Sequence, residues 1–329
     1  MVETQNLTKA FGKLVAVDHV SFDVKEGEMF GFLGPNGAGK TTTINMLTTL
    51  LKPTDGTARI NGFDVVKDAN KVRSIIGLVP QDLTIDDDLS GMENMMLQSK
   101  LYHVPEAEAR RRIEEVLRLV DLWNDAKRKV ETYSGGMRKR LELAEGLIHY
   151  PKLLFLDEPT LGLDVQTRTL MWDYIRKLKE EQKMTVFLTT HYMEEADALC
   201  DRIAIIDHGQ IKALDSPRAL KDRLGGDVIE LSLSEHSADI TKAILTLPLV
   251  REVKNYGDVY RIKVLRGEEA LPSLLENIMK MNLKVVRVSL TKPTLDQVYL
   301  EIAGRSLREH EGSKEEAMRM RRNMMRMRT

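Results

Sequence analysis

The stretch Met29-Phe30-Gly31-Phe32-Leu33-Gly34-Pro35-Asn36-Gly37-Ala38-Gly39-Lys40-Thr41-Thr42 decides how the rest of the chain is read. Met29 to Leu33 is apolar and of strand length. Gly34 to Thr41 fits the pattern G-x-x-x-x-G-K-[ST] in full. A helix is predicted next, over Thr42 to Leu51. Consecutive backbone N–H groups in such a loop converge on phosphate oxygens, and the glycines permit the close approach. The helix N-terminus adds the positive end of its dipole. Lys40 then supplies a point charge for the β- and γ-phosphates, and the Thr41 hydroxyl a ligand for Mg²⁺. A dinucleotide G-x-G-x-x-G is absent, because Thr42 stands where its third glycine belongs.

Outward from this loop, further apolar runs end on polar groups. Leu153 to Leu156 hands over to Asp157-Glu158, Thr185 to Thr190 to His191, and Ile203 to Ile206 to Asp207. Together with Met29–Leu33 they predict a parallel α/β sheet whose strands place polar groups at one edge, where ligands bind. A carboxylate at Asp157 can hold the Mg²⁺ shell, and Glu158 can accept a proton from an attacking water. Two adjacent carboxylates near a phosphate repel it, so the pair calls for a metal ion. His191 is placed to donate to a γ-phosphate and register nucleotide state. Between the first two strands a helical insert is expected. It includes a helix opened by Pro105-Glu106 with Ile113, Val116, Leu117 and Val120 on one stripe. The stripe Met171, Tyr174, Ile175 and Leu178 marks a later helix, and both stripes read as core faces. Ser134-Gly135-Gly136-Met137 opens a further helix and, on physics alone, reads as a simple N-cap.

The chain has 329 residues, enough for two domains, and 42% hydrophobic residues, enough to bury a core. Its net charge of −1 excludes a uniformly basic nucleic-acid binder, and no nucleic-acid partner is expected. One cysteine, Cys200, rules out a disulfide framework or a cysteine zinc cluster within the chain and is compatible with a reducing compartment. No secretory signal is read at the N-terminus, which carries Glu3, and no run reaches the roughly 20 apolar residues that span a bilayer.

The domains expected are 1–224, an ATPase unit; 225–304, a small α+β unit; and 305–329, a Met- and Arg-rich tail read as a frayed end. Gly225-Gly226 marks the break. Beyond it the pattern is strand (Asp227–Leu233), helix (near Asp239–Leu247), a hairpin turning at Asn255–Asp258, helix (Leu271–Met281) and strand (Lys284–Leu290). This order is that of a ferredoxin-like domain. A short helix over Leu295–Ile302 follows.

Together, these motifs resemble the ATP-binding subunit of ATP-binding cassette (ABC) transporters, over residues 1 to about 224. Walker A is Gly34–Thr41 and the Q-loop centres on Gln81, which the resemblance adds to the Mg²⁺ ligands Thr41 and Asp157. The signature is Tyr133–Met137, with Ser134, Gly135 and Gly136 as nucleotide contacts. Walker B is Leu153–Asp157, with Glu158 as catalytic base, and the switch residue is His191. The D-loop runs from Leu161 to Asp164. Phe11 falls where the family stacks a ring on adenine. Two departures stand out: Tyr133 and Met137 flank the signature where Leu and Gln are usual, and Gly162 replaces a common Ala. With the C-terminal domain, these look like the drug- and antibiotic-exporter branch, of the daunorubicin-resistance type.

The resemblance implies an ATPase using ATP and Mg²⁺, with Lys40, Gln81, Glu158 and His191 in catalysis. It implies a head-to-tail homodimer, or a paired subunit, closed by ATP. It also implies a separate integral-membrane permease, reached through the region between Gln81 and Ser134, and a peripheral position on the cytoplasmic face of the cell membrane. Three other readings are weighed. An ABC-type ATPase acting on ribosomes or DNA would carry two cassettes or a long coiled coil, and this chain has one Walker A and Gly and Pro throughout the interval from Lys40 to Asp157. A GTPase would carry Asn-Lys-x-Asp, whereas Asn70-Lys71 continues as Val72-Arg73. An importer ATPase with a C-terminal regulatory sensor stays open, since that fold hosts many functions.

Overall fold

The structure is a computed structural model that describes residues 1–303 apart from 225, 235–237, 258 and 282. The Met- and Arg-rich tail, Gly225 and Asp258 therefore lie outside the described residues. The chain divides into two units, Met1–Leu214 and Asp215–Ser306. The division falls ahead of the expected Gly225-Gly226 break, and the short helix before that break contacts the last helix of the second unit.

In the first unit the elements are β1 (Val2–Phe11), β2 (Leu14–Val24), β3 (Met29–Leu33), α1 (Lys40–Leu47), β4 (Asp55–Ile60), β5 (Phe63–Asp64), α2 (Ala69–Ile75), β6 (Ile76–Val79), α3 (Gly91–Leu101), α4 (Glu106–Leu119), α5 (Gly135–Leu147), β7 (Leu153–Asp157), α6 (Val165–Gln182), β8 (Thr185–Thr190), α7 (Met193–Leu199), β9 (Arg202–Asp207) and β10 (Gln210–Asp215). A six-stranded sheet runs in the order β10-β9-β3-β8-β7-β6. Its strands β9, β3, β8, β7 and β6 pair in parallel. Strands β3, β7 and β8 are buried at every residue; β3 reads as an apolar run, β7 as one that ends at Asp157, and β8 as Val186–Leu188 flanked by buried threonines.

A second sheet, β2-β1-β4-β5, is antiparallel and was not expected from sequence. Its strands are half exposed, so they carry alternation rather than apolar runs. Val20, Phe22 and Val24 on β2 are buried between exposed neighbours, a period-two signal that reveals the strand. Phe22 reaches the other sheet and stacks on Phe30 at 5.3 Å, with Phe32 and Phe187 beside it. The interval from β3 to β7 thus holds β4, β5 and β6 as well as the helical insert. In that insert α3, α4 and α5 contact one another. The stripe Ile113, Val116 and Leu117 of α4 is buried, as is Met171, Tyr174, Ile175 and Leu178 of α6. Helix α1 starts at Lys40 rather than Thr42, because Gly39 at φ 105° ends the turn and caps it.

The second unit contains α8 (Pro217–Asp222), β11 (Asp227–Leu233), α9 (Ala238–Leu245), β12 (Val250–Tyr256), β13 (Val259–Val264), α10 (Gly267–Lys280), β14 (Val285–Thr291) and α11 (Leu295–Ala303). The sheet order β12-β13-β11-β14, antiparallel throughout, is the ferredoxin-like arrangement. Ile229, Leu231, Tyr260 and Ile262 of the sheet pack with Ile240, Leu274 and Ile278 of the helices. Helix α10 opens at Gly267, ahead of the expected Leu271. The Gly267 N–H donates to Asp227 Oδ2 at 2.7 Å, and the helix tolerates Pro272 inside it. No helix among the described residues is long and apolar enough to cross a membrane.

Candidate active site

The loop after β3 is built on glycines that no other residue can replace. A Cβ on Gly34 would come within 2.3 Å of the Ile206 carbonyl oxygen. One on Gly39 would lie 2.5 Å from the Ala16 oxygen, and its φ of 105° is itself closed to other side chains. The first turn of α1 receives no side-chain cap, so no protein side chain takes up its N–H groups there.

Lys40 is buried beneath this loop. Its Nζ donates to the carbonyl oxygens of Gly34 at 2.8 Å and Pro35 at 3.1 Å. It also pairs with Glu158 Oε1 at 3.0 Å, and both side chains are about 95% buried (4% and 5% exposed). The other Glu158 oxygen is 3.0 Å from His191 Nδ1. Burial alone would raise the Glu158 pKa. The His191 hydrogen bond and the Lys40 charge outweigh it and hold the group at about 2. Glu158 itself sits at φ 50°, a left-handed conformation that is rare outside glycine. Its N–H is held by the Thr189 carbonyl and hydroxyl, each at 3.1 Å.

Asp157 behaves oppositely. Burial pushes its pKa up, against hydrogen bonds from the Thr189 and Thr41 hydroxyls. Neighbouring carboxyls with opposed shifts are suited to different roles. Thr189 is a residue the sequence reading passed over. It donates to Asp157 while accepting from the Glu158 N–H, so it fixes both acids. Nothing in the sequence sets it apart from Thr185 and Thr190 of the same strand.

A cleft of about 430 Å³ lies over this group. Phe11, Asn36, Gly37, Gly39, Lys40, Thr41, Thr42, Gln81 and Glu158 line it, with Leu161 at the start of the D-loop and with Leu14 and Ala16, which sequence did not single out. That volume suits a small ligand. Phe11 is half exposed, with Lys9 Nζ 5.1 Å from its ring centroid. Gln81 is held from behind: Lys139 Nζ donates to its carbonyl oxygen at 2.9 Å.

Ser134, Gly135, Gly136 and Asp164 are not among the residues lining this cleft. Ser134 caps α5 by accepting from the Met137 N–H at 3.2 Å, the bland role physics assigned it. Asp164 caps α6 through the Thr167 N–H at 2.9 Å. A Cβ on Gly136 would meet Thr167 Cγ2 at 2.4 Å, so α6 demands that glycine. The unusual Tyr133 is accommodated too. Its hydroxyl donates to the Asp125 carbonyl at 2.8 Å and lies over Gly91, where a Cβ would come within 2.5 Å of it.

With this geometry in place, comparison with known proteins is informative. The family described as ABC transporter matches residues 17–161. The linearmycin resistance ATP-binding protein LnrL of Bacillus subtilis (strain 168) is 38% identical over 312 residues, 94% of this chain and 100% of that protein. This chain belongs to the ABC transporter ATP-binding family. The doxorubicin resistance ATP-binding protein DrrA of Mycobacterium tuberculosis (strain CDC 1551 / Oshkosh) is 40% identical, covering 88% of each chain. The daunorubicin/doxorubicin resistance ATP-binding protein DrrA of Streptomyces peucetius is 39% identical, covering 92% of each. Residues 216–303 match the C-terminal domain of DrrA1-3-like ATP-binding proteins. Among solved structures, a dimeric post-hydrolysis ATP-binding cassette bound to ADP and Pi is 30% identical, with a TM-score of 0.60. It covers 66% of this chain and 98% of its own. An ATP-binding subunit of an ABC transporter, 27% identical, gives a TM-score of 0.62 over 68% of this chain and 93% of its own. The ABC chain described here is accordingly an ATPase, and subunits of its family dimerise and work with a membrane permease.

Proposed function

We propose that this ATPase drives efflux of drug-like or lipophilic molecules through a separate integral-membrane permease, as a homodimer closed by ATP and peripheral to the cytoplasmic face. The likeness to drug-resistance relatives over both units supports the cargo class. The observation that carries the chemistry is the buried line Lys40–Glu158–His191 at the cleft floor.

The residues fit ATP and Mg²⁺. Gly34 and Gly39 form a cradle that any Cβ would fill. Thr41 and Asp157 are hard oxygen donors held together, with Gln81 lining the same cleft. Among the described residues no cluster of three or more His, Cys, Asp or Glu forms a metal cage. That suits Mg²⁺, which keeps waters and phosphate oxygens as ligands. The bound nucleotide and metal supply the phosphoryl group and the charge that polarises it. The chain supplies position: loop N–H groups and Lys40 grip phosphate, Phe11 offers a ring to the base, and Glu158 orients and deprotonates the attacking water.

A carboxyl with a pKa of about 2 is a weak base. Two of the groups holding it there are His191 and Lys40. Any share of the Lys40 charge taken by phosphate is lost to Glu158, whose proton affinity then rises. Nucleotide binding would thus ready the base. Ser134, Gly135, Gly136 and Asp164, exposed or half-buried and outside this cleft, serve the partner subunit's nucleotide in this reading.

The test is recovery of the tagged chain from membranes. A multi-spanning subunit should co-purify with it, and lipophilic drugs should change the ATPase rate of that complex. Recovery of the chain alone, with a drug-insensitive rate, contradicts the efflux reading.

A further inference from the structure

Glu195 is completely buried on α7, four residues beyond His191. It occupies the third position of that helix. An acid there ordinarily turns back to its own helix's first N–H groups. Glu195 does not. Its Oε1 accepts from the Thr160 hydroxyl at 2.7 Å and from Trp172 Nε1 at 2.9 Å. Thr160, fully buried, lies two residues after Glu158, and Trp172 lies on α6 beyond the Leu161–Asp164 turn. Glu195 itself sits on the helix that follows His191.

We infer that Glu195 is a positioning residue for hydrolysis: it ties the chain leaving Glu158 to the helix that follows His191, and so maintains the 3.0 Å contact between Glu158 and His191. The inference rests on the roles proposed above for Glu158 and His191. Core packing alone does not require a carboxylate here, since buried acids are costly unless each contact repays them. Two donors, one from the segment after Glu158 and one from α6, converge on this carboxyl, which itself lies on the helix after His191. Its second oxygen, Oε2, accepts no hydrogen bond among the described residues, and burial favours the protonated form. A neutral amide is therefore an adequate substitute.

The test is steady-state ATPase kinetics on the full chain. Glu195→Ala should lower kcat about 10- to 100-fold with nucleotide KM within about twofold of the parent. Glu195→Gln, which keeps the accepting oxygen, should retain at least about a third of parental kcat. Thr160→Val deletes one donor at little change in volume and Trp172→Phe deletes the other while keeping an aromatic ring, so they probe the tie even where Glu195→Ala folds poorly. Each should lower kcat about 3- to 10-fold. In a Glu158→Gln background, Glu195→Ala should cause no further loss, because both act on one contact. Unchanged kcat in Glu195→Ala, Thr160→Val and Trp172→Phe, beside an inactive Glu158→Gln, overturns this inference alone. So does a Gln variant as impaired as the Ala variant, or losses that multiply in the double variant. Near-parental turnover by Glu158→Gln overturns the Glu158 role and this inference with it.

Discussion

The ammonium of Lys139 lies 2.9 Å from the carbonyl oxygen of Gln81, joining the helix that Ser134 caps to a residue lining the nucleotide cleft. Lys139 also pairs with Glu142 at 3.0 Å, and Glu142 Oε1 accepts from the Thr84 N–H at 2.8 Å. Two side chains one helical turn apart thus clamp the segment around Gln81 from both sides. A shift of α5 has to move that segment with it.

The clamp is a buried ion pair, so removing one partner strands the other. Lys139→Met should destabilise the protein by about 3 kcal/mol, lowering its Tm by roughly 6–12 °C. Lys139→Met combined with Glu142→Leu should cost less than Lys139→Met alone. Calorimetry on the parent, both single variants and the double variant decides this; additive losses would show that the two side chains act independently.

Among the described residues that line the cleft, Lys40 is the one Lys or Arg. Lys40→Ala removes it and leaves Glu158 buried with His191 as a remaining hydrogen-bond partner. ATP affinity should fall on the order of 100-fold. Equilibrium titration with a fluorescent ATP analogue measures it, and a change below about threefold would mean that Lys40 serves Glu158 rather than phosphate.

Glu145 on α5 carries a stability penalty that depends on pH. Burial, aided by repulsion from Glu142, raises its pKa from 4.5 to about 7. The folded state therefore holds this proton more tightly than the unfolded state does. Below pH 4.5 both states are protonated and there is no penalty. Stability then falls as pH rises from 4.5 through 7, by on the order of 3 kcal/mol. Glu145→Gln should raise Tm at pH 8 and leave it nearly unchanged at pH 4.5. Equal shifts at both pH values would show that the carboxyl is not desolvated as the structure has it.

Glu158 titrates in the other direction. Its lowered pKa stabilises the fold above pH 4.5, and that contribution disappears as pH falls through about 2. In kcat/KM, which reports the nucleotide-free protein, any acid limb found between pH 5 and 7 should consequently keep its midpoint when Glu158 is replaced by Asp. A midpoint that moves with this substitution assigns the limb to Glu158 itself.

What could be read from the sequence, and what could not, follows from how far each constraint reaches along the chain. Gly34–Thr41 declares itself because its constraints are local, and β3, β7 and β8 because burial on both faces leaves short apolar runs that give way to polar residues only at the strand ends. Strands β1, β2 and β4 were missed because one face of each is wet, and their alternation is diluted by turns and bulges. The start of α10 was misjudged because Pro272 looks like a first-turn residue, whereas the helix is opened by an acceptor forty residues away, Asp227. Thr189, Lys139 and Glu195 left no readable pattern. Each matters through partners remote in sequence, and only the folded chain brings Thr189 to Asp157 or Glu195 to Thr160.

The account turns on Glu158 as the group that activates water beside a phosphate held by Lys40. Its most direct measurement is ATP turnover and ATP binding by Glu158→Gln, side by side with the parent. Turnover should drop at least about 100-fold while ATP affinity stays within about threefold, and an ATP-bound dimer should accumulate. Turnover close to the parent's, at saturating ATP, would contradict the assignment.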